Sequence, residues 1–434
     1  MAKQVNIAFV KIWNMLVGAV SWDAGRDLAV FEYDPGFLNN NLDIAPLIMP
    51  LEEALNGKTI YEFPGLSKQT FWGMPGLLAD SLPDTYGNAI INAWLAEQGR
   101  TPDSFNPVER LCYTGKRAMG ALEYAPAINN SIETSVPVEI AELVNLSQQI
   151  IDERLHLNTN LKKKDATAML DIIRVGTSAG GARPKAVIAI NDKTNEVRSG
   201  QVAAPAGFEH WIIKFDSVSD LVLGNTAGYG RIEYAYYKMA LTCGIEMMSS
   251  KIYEENNRAH FLTKRFDRTD NQGKVHMQSL CAINHFDYNM AGAYSYEQTF
   301  QTIRELRLTY INSEQLYRRM VFNVIARNHD DHTKNIAFLM DKNGQWQLAP
   351  AFDVIYSYNP EGMWTNQHQM TINGKRRDIT RADLEIIGRE NNIKQFNNII
   401  DDISAVITDW PKYAEEAGIP EDTIKAIAEN LLSV

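Results

Sequence analysis

The sequence has few cysteines, no long hydrophobic run and no excess of positive charge, and each shortage excludes a class of protein. Its three cysteines stand far apart in 434 residues with no Cys-x-x-Cys pair, so we expect neither a zinc ribbon nor a disulfide framework. No stretch reaches the ~18 apolar residues of a membrane span, and the N-terminus lacks the apolar core of a signal peptide. We therefore expect a cytoplasmic protein. The net charge of -11 argues against a protein that binds DNA by itself, because phosphate contacts need clustered cations.

The chain instead has the composition of a folded globular protein, with 45% hydrophobic and 22% charged residues. Its length predicts two or three domains. Short strands and turns dominate residues 1–125, helices and then a glycine-rich loop with strands follow in residues 126–270, and residues 271–434 are mostly helical. We therefore expect an α+β protein with a β-rich N-terminal subdomain and a helical C-terminal lobe.

The strongest cluster of polar residues lies just before a strand-turn-strand pattern in the C-terminal part. Asp330 and Asn335 precede the predicted strand Ile336–Met340, and Asp353 follows the predicted strand Trp346–Leu348. These three side chains can therefore converge at one end of a two-stranded ribbon. The pattern suits phosphoryl transfer, in which one carboxylate orients the acceptor hydroxyl while an Asn oxygen and a second carboxylate hold Mg²⁺.

Two other interpretations of this cluster stay open at the level of sequence. The run from His329 to His332 could supply metal ligands, as in His-Asp phosphohydrolases, although no other histidine of the chain forms a matching His-Asp pair. Alternatively, the Asp and Asn side chains only cap turns of a polar loop.

A second group of candidate residues lies upstream. The glycine-rich segment Gly176–Lys185 precedes a predicted strand, and its glycines would let backbone N–H groups approach phosphate, although a flexible turn explains it equally well. Lys214 stands inside an apolar strand, where a charge is rare unless it is paired. We expect Lys214 to bind phosphate with Glu233 on the next helix as its partner; the alternative is a solvent-facing lysine on an edge strand.

A third candidate segment follows a predicted strand and begins the connection between lobes. Phe266 in this segment could pack against an adenine ring. Asp267 and Arg268 are expected to form structural ion pairs.

These motifs, in this order and over almost the whole chain, resemble the HipA family, the serine/threonine kinase toxins of bacterial HipA–HipB toxin–antitoxin modules. Ser178–Lys185 keeps the Ser-to-Lys spacing of the family's Ser-Val-Ala-Gly-Ala-Gln-Glu-Lys loop, and Lys264–Arg268 matches its Glu-Arg-Phe-Asp-Arg hinge. His329–Asn335 matches the catalytic loop Gly-Asp-x-His-x-Lys-Asn, and Pro350–Asp353 matches the metal loop Pro-x-Tyr-Asp. Lys264 replaces the hinge glutamate, the pair Arg-Pro replaces Gln-Glu in the glycine-rich loop, and a histidine replaces the glycine of the catalytic loop.

The resemblance implies a bilobed protein-kinase-like fold with an N-terminal subdomain at 1–125, an ATP-gripping lobe at 126–270 and a helical lobe at 271–434. It implies that Asp330 is the catalytic base and that Asn335 and Asp353 bind Mg²⁺. From the residue patterns and the resemblance together, the residues expected to contact ATP are Ser178, Ala179, Gly180, Gly181, Ala182, Arg183, Pro184, Lys185, Lys214, Lys264, Phe266, His332, Asn335 and Asp353.

The resemblance also implies a biological setting. The partner would be a small HipB-like helix-turn-helix antitoxin, and the protein would reach DNA only through it. The substrate would be a protein of translation such as an aminoacyl-tRNA synthetase, and autophosphorylation of Ser178 would silence the kinase. A kinase for a lipid or small molecule, and a catalytically idle ATP-binding co-repressor, are the alternatives.

Overall fold

The computed structural model describes residues 5–83, 85–128, 134–155, 176, 183–218, 228–271 and 273–434. The chain divides into two compact units. The first unit comprises residues 1–45, 49–227 and 253–277, and the second comprises residues 46–48, 228–252 and 278–434. The domain limits expected from the sequence, 1–125, 126–270 and 271–434, stay a prediction. Among the described residues, no helix is both long enough and apolar enough to cross a membrane.

The first unit begins with an antiparallel five-stranded sheet in the order β4-β3-β2-β1-β5. Its strands are β1 Ile7–Ile12, β2 Met15–Asp23, β3 Leu28–Tyr33, β4 Ile60–Tyr61 and β5 Leu122–Ala125. Along β1, exposed and buried residues alternate, because successive side chains of a strand point to opposite faces of the sheet. One face is therefore buried in the first unit.

A second five-stranded sheet has the order β7-β6-β8-β10-β9. Its strands are β6 Lys185–Asn191, β7 Glu196–Ser199, β8 Glu209–Lys214, β9 Ser250–Glu255 and β10 Arg258–Lys264. Strand β8 is central and pairs antiparallel with β6 on one side and β10 on the other. The β-branched and aromatic residues of β6 and β8 favour this pleated, buried position.

The described helices of the first unit are α1 Leu51–Leu55, α2 Lys68–Phe71, α3 Gly76–Ala79, α4 Thr85–Glu97, α5 Pro107–Thr114 and α6 Ile140–Leu155. Helices α4 and α6 pack together, and Tyr86 Oη donates a hydrogen bond to Ser147 Oγ at 2.6 Å. Their apolar faces share one core with the second sheet, represented by Ile90, Leu143 and Ile188.

The second unit is mainly helical. Its described helices are α7 Tyr229–Thr242, α8 Leu280–Asn284, α9 Tyr296–Glu305, α10 Tyr310–Ile325, α11 Arg381–Glu390, α12 Phe396–Thr408, α13 Trp410–Glu416 and α14 Glu421–Ala428. Helix α10 packs against α9 and α12, and its residues Leu316 and Met320 are completely buried in the same core as Trp410. Helix α10 therefore fixes the starting point of the polar loop that follows it.

A small sheet has the order β11-β12-β13, with β11 His276–Ser279, β12 Ala337–Met340 and β13 Trp346–Leu348. Strands β12 and β13 belong to the second unit. The hairpin β12–β13 confirms the strand-turn-strand pattern predicted from the sequence. Its turn is held by Asp341 Oδ1, which accepts the backbone N–H groups of Asn343 at 2.8 Å and Gln345 at 2.9 Å. Gly344 takes the positive φ of 79° that this turn requires.

Candidate active site

The polar loop of the second unit begins where α10 ends. Tyr236 Oη donates to the carbonyl oxygen of Ala326 at 2.7 Å and holds the end of the helix. Asn328 is tied by its side chain to Asn323, and Ser357 Oγ donates to Asn328 Oδ1 at 3.2 Å. The loop is therefore anchored before it reaches the candidate catalytic residues.

Asp330 is the exposed carboxylate of this loop, with 40% of its side chain accessible. Its backbone N–H donates to Ser357 Oγ at 3.0 Å, and its carbonyl oxygen accepts Asn335 Nδ2 at 2.7 Å. Its Oδ1 accepts the indole N–H of Trp364 at 2.7 Å and lies 3.9 Å from His332 Nε2. The backbone is fixed while the carboxylate remains open to an approaching acceptor.

Asp331, the next residue, is completely buried and serves the structure of the loop. Its Oδ2 lies 2.8 Å from His368 Nδ1 and accepts Tyr296 Oη at 3.0 Å, while Oδ1 accepts the backbone N–H of Gln369 at 2.7 Å. Burial raises the pKa of the Asp331 carboxyl, but the charge and hydrogen bond of His368 outweigh burial and hold the pKa below its ordinary value. Two neighbouring aspartates thus have opposite surroundings.

Asn335 and Asp353 line the same small pocket, together with Phe352 and Ile336. Asn335 ends a short 3-10 turn, and its Nδ2 donates to the backbone carbonyl oxygen of Asp330, so its amide oxygen is the atom that can ligate a cation. Asp353 adopts the left-handed φ of 53°, which is uncommon for a residue with a side chain. Such strained positions concentrate at functional sites.

The donors of this pocket suit Mg²⁺. One carboxylate and one amide oxygen are hard ligands, and Mg²⁺ in nucleotide sites takes its remaining oxygens from phosphates and water. Within the described residues, no three His, Cys, Asp or Glu side chains come together as a metal site. The described residues therefore do not surround a metal with protein ligands alone. They suit a site in which phosphate oxygens complete the coordination of Mg²⁺.

Within the described part of the chain, the histidines of the loop do not gather with other His, Cys, Asp or Glu side chains into the metal site of the His-Asp phosphohydrolase hypothesis. His329 Nδ1 lies 3.1 Å from the carbonyl oxygen of Thr365, and its ring lies 4.2 Å from that of His368. Burial, reinforced by the neighbouring His368, lowers the pKa of His329 to about 3, so this ring is neutral at pH 7. Both oxygens of Asp331 are already used by hydrogen bonds.

In the first unit, two of the expected phosphate-binding lysines stand directly opposite each other. Lys185 in β6 is the cross-strand partner of Lys214 in β8, so both side chains lie on the same face of the sheet. Lys214 lies in the central strand, not on an edge strand, and its Nζ is 5.8 Å from the centre of the Phe261 ring. Two lysine side chains on one face of the sheet would favour an anion beside them.

The hinge segment also lies in the first unit. Lys264 Nζ binds Glu209 Oε1 at 2.8 Å and Asp270 Oδ1 at 3.3 Å, and the hydrogen bond to Glu209 raises its pKa. Asp267 is completely buried and pairs with Arg265 and Arg268, each at 2.7 Å. The expectation of structural ion pairs at Asp267 and Arg268 is confirmed, while nucleotide contacts of Lys264 and the partly buried Phe266 stay predictions.

Several other predicted contacts stay untested. Ser178, Ala179, Gly180, Gly181 and Ala182 lie outside the described residues. Arg183 and Pro184 lie just before β6, where the carbonyl oxygen of Pro184 accepts the backbone N–H of Phe215 at 3.1 Å. Glu233 is buried in α7 of the second unit whereas Lys214 belongs to the first, and their ion pair stays a prediction.

Sequence reasoning missed Trp364, His368 and Ser357, which hold the two aspartates of the loop. These residues lie more than 25 positions away from their partners in the chain, with separations of 34, 37 and 27. No local pattern marks them, and only their position after the metal-loop motif could have drawn attention to them.

Comparison with protein families decides the affiliation of the chain. Residues 8–125 match the model of the HipA N-terminal domain, and residues 177–433 match the model of the HipA-like C-terminal domain. The chain belongs to the HipA family. The resemblance seen in the motifs is thereby confirmed.

The fold of the chain is similar to that of a solved HipA. The HipA of Shewanella oneidensis MR-1, solved in a complex with HipB and operator DNA, is 17% identical, with a TM-score of 0.65 over 97% of this chain and 94% of that one. The predicted α+β, kinase-like fold of the HipA family is confirmed. The Helicobacter pylori kinase CtkA matches with 14% identity and a TM-score of only 0.37, over 58% of this chain and 90% of that one.

A curated relative matches a short part of the chain. This protein of Haemophilus influenzae (strain Rd), named "Putative kinase", is 31% identical over 111 residues, which are 24% of this chain. The match spans about a third, 32%, of the length of that relative.

Proposed function

We propose that this HipA-family protein is an ATP- and Mg²⁺-dependent serine/threonine protein kinase that acts in the cytoplasm as the toxin of a toxin–antitoxin module. The observation that carries the proposal is the arrangement of the second unit. Asn335 and Asp353 share one pocket, and the open carboxylate of Asp330 lies on the loop that Asn335 closes. These are the groups that phosphoryl transfer to a hydroxyl needs.

Asp330 is the proposed catalytic base. Its exposed carboxylate accepts the proton of a Ser or Thr hydroxyl as the oxygen attacks the γ-phosphorus of ATP, the bond from that phosphorus to the bridging oxygen breaks, and ADP leaves. Asn335 and Asp353 would hold Mg²⁺, and the bound metal would neutralise negative charge on the phosphates of ATP. His332 orders the loop beside Asp330, since its Nε2 lies 3.9 Å from Oδ1.

The first unit supplies the proposed nucleotide grip. Lys185 and Lys214 form a cationic pair on one face of the sheet, suited to phosphate oxygens. Ser178–Lys185 would cover the phosphates, and the hinge with Lys264 and Phe266 would contact the adenine. Autophosphorylation of Ser178 would add a charge of about -1.5 to -2 beside the triphosphate and silence the kinase.

A HipB-like helix-turn-helix antitoxin is the proposed partner. The Shewanella oneidensis relative was solved with HipB and operator DNA, and a chain with a net charge of -11 suits a basic partner that carries it to DNA. A translation protein such as an aminoacyl-tRNA synthetase is the proposed substrate.

Incubation of the purified protein with γ-labelled ATP, Mg²⁺ and a bacterial lysate tests the proposal. Label in protein bands supports it, label in the lipid fraction points to a lipid kinase, and no label points to an idle ATP-binding co-repressor. Asp353→Asn serves as a second arm. We expect this variant to lose Mg²⁺-dependent ATP affinity in titration calorimetry, and unchanged affinity would place the metal elsewhere.

A further inference from the structure

Trp364 contacts the proposed catalytic carboxylate from a segment outside the four motifs quoted from the sequence. Its indole N–H donates to Asp330 Oδ1 at 2.7 Å, and 36% of the residue remains exposed. Among the described residues, no other side chain donates a hydrogen bond to this carboxylate. The neighbouring Met363 is 99% exposed, so the tryptophan is held at Asp330 while the residue before it faces solvent.

The backbone that carries Trp364 is tied to the buried network under the catalytic loop. The carbonyl oxygen of Trp364 accepts Gln369 Nε2, and the backbone N–H of Gln369 donates to Asp331 Oδ1 at 2.7 Å. The carbonyl oxygen of Thr365 lies 3.1 Å from His329 Nδ1. His329 and Asp331, the residues on both sides of Asp330, therefore hold the segment that places the indole. The N–H donor of Trp364 and the carboxylate of Asp330 are thus held by the same hydrogen-bond network.

The indole also ends a row of rings beside the carboxylate. The ring of His332 lies 6.3 Å from that of Trp364 and 5.3 Å from that of Tyr288. The ring of Tyr288 is also in contact with Lys334, whose Nζ lies 5.0 Å from the ring centre. Ring contacts of this kind restrict the orientation of the indole, because aromatic pairs prefer tilted geometries.

We propose that Trp364 is a positioning residue for Asp330, fixing the plane of its carboxylate by holding Oδ1 and leaving Oδ2 for the acceptor hydroxyl. An exposed aspartate turns freely about its last side-chain bond, and a single strong N–H donor is enough to select one orientation. A base must be aligned with the proton that it accepts, so this hydrogen bond acts on the maximal rate. The inference rests on the proposed kinase function.

Trp364→Phe tests the role because it removes the N–H and keeps a ring in the row. We expect the maximal rate of label transfer from γ-labelled ATP to lysate proteins to fall about tenfold or more, with the KM for ATP and the unfolding midpoint in urea unchanged. Met363→Ala in the same segment is the matched control and should transfer label at the wild-type rate. A Trp364→Phe variant with an unchanged or higher rate would overturn the positioning role.

A second measurement does not depend on activity. The protein contains eight tryptophans, and in protein labelled with ¹⁵N at the indole nitrogen, the signal of Trp364 is the one that Trp364→Phe removes. We expect this signal to shift and to exchange faster with water in Asp330→Ala, and to stay in place in Met363→Ala. An unmoved signal in Asp330→Ala would overturn the contact. Absence of label transfer by the wild-type protein, with a signal that does move, would overturn the kinase function and the positioning role but leave the contact established.

Discussion

Two polar segments of the molecule each bury an aspartate completely, and they stabilise it in different ways. In the first unit, Asp267 is paired with two arginines and accepts the backbone N–H of Gly120 at 2.6 Å. In the second unit, Asp331 is bound by His368, Tyr296 and a backbone N–H. The first aspartate has permanent charges as partners, whereas the second has a titratable ring and a neutral hydroxyl.

The two aspartates therefore differ in role. Asp267 holds a structural junction together, whereas Asp331 supports the loop of the candidate catalytic residue Asp330. Burial raises the pKa of Asp267, but the charges of the arginines outweigh it and hold the pKa far below the ordinary range. Burial also lowers the pKa of Lys274, close by, to about 8. Asp331 has weaker partners, and these are enough to hold the catalytic loop in place. The same loop leaves the neighbouring Asp330 exposed. Two arginine charges hold the buried aspartate of the hinge, while one histidine, one hydroxyl and one backbone N–H hold the buried aspartate beside the candidate base.

The largest effect is expected when Asp267 is replaced. In Asp267→Asn, Arg265 and Arg268 remain buried without a counter-charge, and we expect the free energy of unfolding of the first unit to fall by about 3–5 kcal/mol. Urea unfolding with a probe in that unit measures it. Asp23→Asn is the control, since it breaks an exposed ion pair with Arg26 and should leave the midpoint unchanged. A loss no larger than in the control would mean that the buried pair does not hold the hinge.

A smaller loss is expected in the second unit. Asp331→Asn keeps the shape but removes the charge that faces His368, so we expect a loss of about 2–3 kcal/mol in the unfolding free energy. Label transfer should fall as well, because the backbone that carries Trp364 is bound to the same carboxylate through Gln369. If Asp331→Asn destabilises the protein more than Asp267→Asn, the proposed difference between the two segments is wrong.

Acid should act on the loop of the second unit through His329. Its pKa is lowered to about 3 in the folded protein, while an unfolded histidine binds a proton near pH 6.5. The unfolded state therefore holds the extra proton between these values, and stability falls as the pH falls from about 6.5 towards 3. The slope from this ring is about 1.4 kcal/mol per pH unit.

His329→Gln isolates this contribution, since glutamine cannot gain the proton. Between pH 6 and 4, the unfolding free energy of this variant should change less with pH than that of the wild-type protein. The difference in slope corresponds to the binding of about one proton on unfolding. His276, whose pKa burial lowers to about 4, contributes equally to both proteins and cancels in the difference. Parallel pH curves for variant and wild type would contradict a buried, neutral His329.

The smallest effect on stability is expected at Asp330. Its side chain is exposed, and an isosteric amide keeps an oxygen for the indole N–H of Trp364. Asp330→Asn should therefore unfold at the wild-type urea concentration, within about 0.5 kcal/mol. A loss as large as that of Asp331→Asn would show that both aspartates are structural.

The sequence predicted the parts of the site that depend on local chain order. The Asp330-to-Asn335 spacing and the hairpin before Asp353 are set by residues within one loop and one turn, so they could be predicted. The burial of Asp331 could not, because its partners Tyr296 and His368 come to it only when the helical unit packs.

Long-range pairing also explains why the surroundings of the lysines were not predicted. Lys214 looked like either a phosphate ligand or an edge residue, and only the position of β8 between two other strands excludes the edge. Lys264 pairs with Glu209, 55 residues away, which no local pattern indicates. Residues 228–252 belong to the second unit although the first unit resumes after them, and local chain order does not indicate this arrangement.

We propose that the exposed aspartate of the loop, Asp330, performs the chemistry and that the buried one, Asp331, supports it. Transfer of labelled phosphate from ATP to lysate proteins, measured for purified wild type and Asp330→Asn at equal folded concentration, tests it most directly. We predict a loss of at least about a hundredfold in Asp330→Asn, with nucleotide affinity retained. Transfer at the wild-type rate by this variant would contradict the assignment of Asp330 as the base.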